Sequence, residues 1–70
     1  MPYVLAQITR DDFKSAKEFL KRKKVTYNVI ADLVMFRLVL LLLSVAEEDR
    51  ADIENGLREA CETEPTLIAQ

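Results

Sequence analysis

The stretch FRLVLLLLSV, Phe36 to Val45, decides the fold, because eight of its ten side chains are apolar. Only Arg37 and Ser44 interrupt it. Three structures accommodate such a run: a membrane-spanning helix, a helix buried in a core, or a strand that is apolar on both faces.

A membrane-spanning helix requires about 20 predominantly apolar residues. Extending the stretch back to Val25 reaches that length but includes Asn28, Asp32 and Arg37. Because each charge near the middle of a span costs about 2.5 kcal/mol or more, the sequence disfavours a span.

A single buried helix over residues 28–46 is the stronger alternative, since leucine, methionine and alanine favour helices. However, the polar residues Asn28, Asp32, Arg37 and Ser44 do not share one helical face. Such a helix would bury at least one charge.

The remaining interpretation is a β-hairpin. The preceding segment VTYNVIAD, residues 25–32, alternates in the manner of a strand. We therefore predict a strand to about Ile30, a turn near Asp32 and a return strand to Val45. The hairpin lacks the Asn-Gly or Asp-Gly pair that two-residue turns favour.

The flanking segments complete the pattern. PYVLAQIT, residues 2–9, alternates as a strand, and TLIAQ, residues 66–70, predicts a short last strand. Helices are predicted near residues 10–24 and 47–62. Their apolar stripes are Phe13, Ala16, Phe19 and Leu20 in the first, and Ile53, Leu57 and Ala60 in the second.

The first helix has a predicted capping signal. Thr9 stands three residues before Asp12, a variant of the capping box, in which a hydroxyl and a carboxylate accept hydrogen bonds from free amides. The second helix ends before Pro65, because a residue that precedes proline avoids the helical conformation.

The order strand–helix–strand–strand–helix–strand is that of the ferredoxin-like split βαβ fold. We predict one α+β domain over residues 1–70, an antiparallel sheet with both helices on one face. The second half of the hairpin would be a central strand, which explains why it is so apolar.

One consequence is a partly apolar open face of the sheet. If Phe36, Leu38, Leu40 and Leu42 face the helices, their neighbours face outward. A large exposed apolar patch on a small domain usually marks an interface. The predicted interface residues are Tyr3, Leu5, Arg37, Val39, Leu41 and Leu43.

The charge distribution gives a second candidate surface. The net charge is −2, yet bases outnumber acids in residues 1–24 and acids outnumber bases in residues 47–70. The basic end of the first helix predicts either a nucleic-acid contact or neutralisation by the acidic second helix. The candidate nucleic-acid contacts are Lys17, Lys21, Arg22, Lys23 and Lys24.

Residue content argues against an enzyme. Cys61 is the only cysteine and histidine is absent, so neither an intramolecular disulfide nor a Cys/His metal site is expected. Gly56 is the only glycine, which disfavours a phosphate-binding loop. We expect no cofactor. The lone thiol, together with an N-terminus unlike a secretory signal, predicts a cytoplasmic protein.

SAKEFLKRKKVTYNVI, residues 15–30, resembles the helix-to-strand passage of glutaredoxins, and EPTLIAQ, residues 64–70, resembles their proline-led strand. The paired cysteines of that family should precede the helix, where this chain has TRDDFK, residues 9–14. The redox chemistry of glutaredoxins is therefore not transferred to this chain.

These observations predict a small non-enzymatic association module, most simply a homodimer formed through the open face of the sheet, or a domain that binds another protein partner. A nucleic-acid-binding module is the alternative from another class. A designed sequence on this fold, without an evolved function, is a third.

Overall fold

The computed structural model describes residues 3–70, so Pro2, where the first predicted strand begins, lies outside the described residues. Short 3-10 turns precede both helices and separate the second strand from the third. The strands and helices are β1 (Tyr3–Thr9), α1 (Phe13–Arg22), β2 (Thr26–Leu33), β3 (Leu38–Ser44), α2 (Arg50–Ala60) and β4 (Thr66–Ala69).

The four strands form one sheet in the order β2-β3-β1-β4, and every neighbouring pair is antiparallel. β1 and β3 are central, and each helix connects two strands that have a third strand between them. This arrangement confirms the predicted α+β fold with ferredoxin-like strand order. The alternative of one buried helix over residues 28–46 is excluded, because that segment forms β2 and β3.

The hairpin turn lies later in the chain than predicted. β2 continues through Asp32 to Leu33, and the turn is a 3-10 segment, Val34–Phe36, followed by Arg37. Arg37 has a left-handed backbone with φ 55°, and its amide donates to the Val34 carbonyl. Asp32 is not a turn residue, and its carboxylate pairs with the Arg10 guanidinium.

The core lies between one face of the sheet and the two helices. The two central strands contribute alternate residues, which are Val4, Ala6 and Ile8 of β1 and Val39, Leu41 and Leu43 of β3. The helices contribute Ala16, Phe19 and Leu20 of α1 and Ile53 and Leu57 of α2. Val45 and Cys61 complete the core. The apolar stripes predicted for both helices therefore face the sheet, with Phe13 and Ala60 partly buried at the margin.

A buried carboxylate joins the start of α1 to the segment that follows α2. Asp12 is 5% exposed, and its oxygens accept hydrogen bonds from the amides of Glu62 at 3.1 Å and Thr63 at 3.0 Å. The Thr9 hydroxyl donates to the same carboxylate at 2.9 Å. The predicted capping box is wrong in this detail: Asp12 accepts from distant amides, and no side chain caps the start of α1.

Gly56 sets the distance between the two helices. A β-carbon at this position would overlap Cζ and Cε1 of Phe19, which lies across from it on α1. Since the Phe19 ring is itself buried against the core, it has little room to withdraw. The absence of a side chain at Gly56 thus allows α1 and α2 to pack closely.

We expect Gly56→Ala to destabilise the domain, although alanine favours a helix by about 1 kcal/mol over glycine. Overpacking of the Phe19 ring costs about 1–3 kcal/mol and outweighs that gain. In a Phe19→Leu background the overlap is relieved, and Gly56→Ala should then stabilise. Denaturant unfolding of the four variants measures the reversal, and stabilisation of the wild type by Gly56→Ala would refute the packing argument.

Candidate association surface

β3 turns the opposite set of leucines toward the helices from the set predicted. Val39, Leu41 and Leu43 are 0% exposed and belong to the core, so the prediction that they line the open face is wrong. Leu38, Leu40 and Leu42 alternate with them and are half-buried on the open face of the sheet.

The remaining predicted interface residues are divided between two places. Tyr3 and Leu5 do lie on the open face, because they alternate with the buried Val4 and Ala6 of β1. Arg37 does not, since it belongs to the turn before β3 begins, where its guanidinium binds the Asp11 carboxylate at 3.1 Å.

Strand register shows which side chains share the open face. Opposed residues of an antiparallel pair point to the same side of the sheet. Two central rows therefore cross all four strands: Ile68, Leu5, Leu42 and Asn28 form one, and Thr66, Gln7, Leu40 and Ala31 form the next. Two shorter rows flank them. The first is Thr9, Leu38 and Leu33, and the second is Tyr3, Ser44 and Thr26.

We call the large apolar members of these rows the open-face patch: Tyr3, Leu5, Leu33, Leu38, Leu40, Leu42 and Ile68. None of the residues in the four rows carries a charge, although 31% of the chain is charged. An antiparallel sheet with one face in water usually has polar side chains on that face. The open-face patch departs from this rule.

A second exposed apolar feature adjoins the patch at the hairpin turn. Val34, Met35 and Phe36 are 63%, 94% and 73% exposed. At the base of the turn the Arg10–Asp32 and Arg37–Asp11 ion pairs bring opposite charges together. The turn thus projects three apolar side chains from a base in which these charges are balanced.

The candidate nucleic-acid contacts are all exposed at α1 or just after it, and Lys17 and Lys21, four residues apart, share one face of the helix. Lys17 places its Nζ 4.5 Å from the centre of the Phe13 ring, and the Arg22 guanidinium lies 5.9 Å from that of Phe19. The exposed Lys21 completes the last turn of α1.

Lys23 and Lys24 lie next to acidic residues. Together with Asp49 and Asp52 they line a depression between the end of α1 and the start of α2. A phosphate backbone that approached these lysines would also meet the two carboxylates. The two carboxylates therefore weaken the attraction of a phosphate backbone to this end of the basic segment.

Cys61 is 7% exposed, and burial raises the pKa of its thiol, with a further contribution from the Asp12 carboxylate. A thiol with a raised pKa forms little of the nucleophilic thiolate. Within residues 3–70, no group of three or more acidic, cysteine or histidine side chains is arranged to bind a metal ion.

No helix in the described part of the chain is long and apolar enough to cross a membrane.

No protein-family model matches the chain, and no curated protein matches it significantly.

Proposed function

We propose that the chain is a non-enzymatic association module that pairs with a second copy of itself through the open-face patch. The observation that carries the proposal is the combination of Leu5, Leu40 and Leu42 at the centre of a sheet face that has no charged residue in its paired rows. Burial of such a surface is favourable because it removes apolar area from water.

The absence of charge supports a second copy as the partner. Because the face has no charges, two identical faces can meet without placing like charges together. A two-fold axis relates the two copies in such an interface. The charged side chains of the helices remain in solvent in such a dimer. We also propose a cytoplasmic location for the protein, with which the free, buried thiol of Cys61 is consistent.

The size of the face indicates a modest affinity. The strands have 7, 8, 7 and 4 residues, and at about 3.4 Å per residue and about 4.8 Å between strands they cover about 420 Å² of plane per subunit. Stable interfaces usually bury about 800 Å² per partner, so this contact lies near the lower limit. We therefore expect an association that depends on concentration.

Leu40→Lys tests the proposal, because Leu40 is half-buried on the open face and a lysine there can extend into solvent. Sedimentation equilibrium should give the wild type a mass above the 8.0 kDa of one chain, decreasing on dilution. Leu40→Lys should lower the mass at equal concentration. Ser15→Lys, which adds the same charge on the exposed side of α1, should not.

The proposal fails if the wild type sediments as one chain at the highest concentration, or if Leu40→Lys and Ser15→Lys have the same mass as the wild type. Circular dichroism of each variant establishes that it is folded.

A further inference from the structure

The two edges of the sheet differ in how well they are protected against pairing. β4 has four residues and follows a buried proline, Pro65, whereas β2 has eight residues. Natural edge strands avoid unwanted pairing by being short, by carrying lysine or proline, or by a bulge that twists the edge away from an ordinary strand. β2 contains no lysine, arginine, proline or glycine, and the charge of its Asp32 is paired with Arg10.

The middle of β2 is apolar and exposed. Val29 and Ile30 are 49% and 52% exposed, and both are β-branched residues that favour strands. The register between β2 and β3 shifts between Val29 and Ala31, so this edge has a bulge at its centre. A bulge increases the local twist of a strand, which makes an ordinary flat strand a poor partner.

We infer that β2 pairs antiparallel with β2 of a second copy around Val29 and Ile30, which joins two sheets into one of eight strands. The occupant is a second copy, because the exposed and uncharged Val29 and Ile30 of each copy then face the same two residues of the other across a two-fold axis. The two exposed β-branched residues of each copy then meet at the centre of the pair.

Charge placement in this register is also compatible with self-pairing. When the axis lies between Val29 and Ile30, Asp32 of one copy lies opposite Tyr27 of the other, so the two aspartates are apart. At the ends of the pair, Thr26 of one copy lies opposite Leu33 of the other, so neither end places two charges together.

The edge pair changes the size of the open face. The two-fold axis of an antiparallel strand pair is perpendicular to the sheet, so both open-face patches lie on the same side of the eight-stranded sheet. Their combined area is about 840 Å² of plane, which is close to the area that each partner buries in a stable interface. Two such eight-stranded sheets stacked through their open faces give a tetramer. The tetramer requires the open-face contact of the proposed function, whereas the edge pair does not.

Val29→Lys tests the edge without touching the open face, because Val29 is paired with Leu41 and therefore lies on the helix side of the sheet. Two lysines near the axis repel each other, and lysine is the residue that natural edges use against pairing. Ala69→Lys is the matched control, since Ala69 is paired with Val4 on the same side of the opposite edge strand.

We expect sedimentation to give four chains for the wild type and for Ala69→Lys, and two chains for Leu40→Lys, which retains the edge pair. Leu40→Lys combined with Val29→Lys should give one chain. Equal masses for Leu40→Lys and the double variant would overturn the edge inference. Equal masses for Leu40→Lys and the wild type would instead overturn the face contact, so the two failures are distinguishable.

Discussion

Leu41→Lys should unfold the domain, whereas the same replacement at the adjacent Leu40 should leave it folded. Leu41 is 0% exposed between the sheet and the helices, and a lysine there loses the leucine packing and buries an unpaired charge. We expect a loss of at least about 4 kcal/mol, since truncation of a buried leucine alone costs about 2–5 kcal/mol. A domain of this size has about 4–10 kcal/mol of stability in total.

Chemical denaturation followed by circular dichroism measures this contrast. Leu40→Lys is the control, because it places the same side chain one position along the same strand but on the open face. If Leu41→Lys remains folded while Leu40→Lys unfolds, the strand has the opposite orientation and the open-face patch does not exist as described.

Asp12→Ala should destabilise the domain by about 1.5–3 kcal/mol, the usual worth of hydrogen bonds to a charged group together with the cost of unpaired donors. The substitution removes the acceptor for the Glu62 and Thr63 amides and for the Thr9 hydroxyl. Asp11→Ala is the control: Asp11 is the neighbouring acid, but its side chain is 80% exposed in its pair with Arg37. Such surface pairs contribute about 0–1 kcal/mol.

The contribution of Asp12 should also depend on pH. The largest effect on the pKa of Asp12 is the hydrogen bond from the Thr63 amide, which lowers it. Burial raises the pKa, whereas the hydrogen bonds from the Glu62 amide and the Thr9 hydroxyl lower it. The pKa of Asp12 is therefore below its ordinary value. An unfolded aspartate has a pKa of about 4. Because the folded pKa is lower, the stabilisation is complete above that value and disappears as the pH falls through the folded pKa.

Unfolding free energies measured from neutral to acidic pH test this linkage. The difference between wild type and Asp12→Asn should shrink as the pH falls below about 4, whereas the difference between wild type and Asp11→Ala should change less. A constant difference for Asp12→Asn across this range would show that the carboxylate charge does not contribute.

The order of elements follows from the sequence because each element has its own local signal. Alternation in residues 2–9 and 25–32 predicted β1 and β2, and periodic apolar residues with charged ends predicted both helices. The orientation of β3 had no comparable periodic signal, since its two faces are both leucine-rich. Arg37 was also counted as part of the strand, whereas it belongs to the turn.

One residue inside β3 did indicate the correct face. Ser44 is the polar member of the strand, and it lies on the open face with Leu38, Leu40 and Leu42. The polar residues Gln7 on β1 and Asn28 on β2 fall on the same face by register. The three polar residues could be assigned to one face only after the pairing of the strands was known.

The turns could not be located from sequence because the usual residue is absent from them. The two described residues with positive φ are Lys24, at 58°, and Arg37, at 55°. Such positions usually contain glycine, which has no β-carbon to clash with the backbone. At Lys24 the chain leaves α1 through hydrogen bonds from the Val25 amide to Leu20 and from its own amide to Lys21.

The most direct test of association through the open face is an isotope-filtered nuclear Overhauser experiment on a mixture of labelled and unlabelled chains. We predict intermolecular contacts between the methyl groups of Leu5, Leu40, Leu42 and Ile68 at high concentration, with none from the core residue Leu41. A concentrated sample in which these open-face methyl groups show no intermolecular contact would contradict the account.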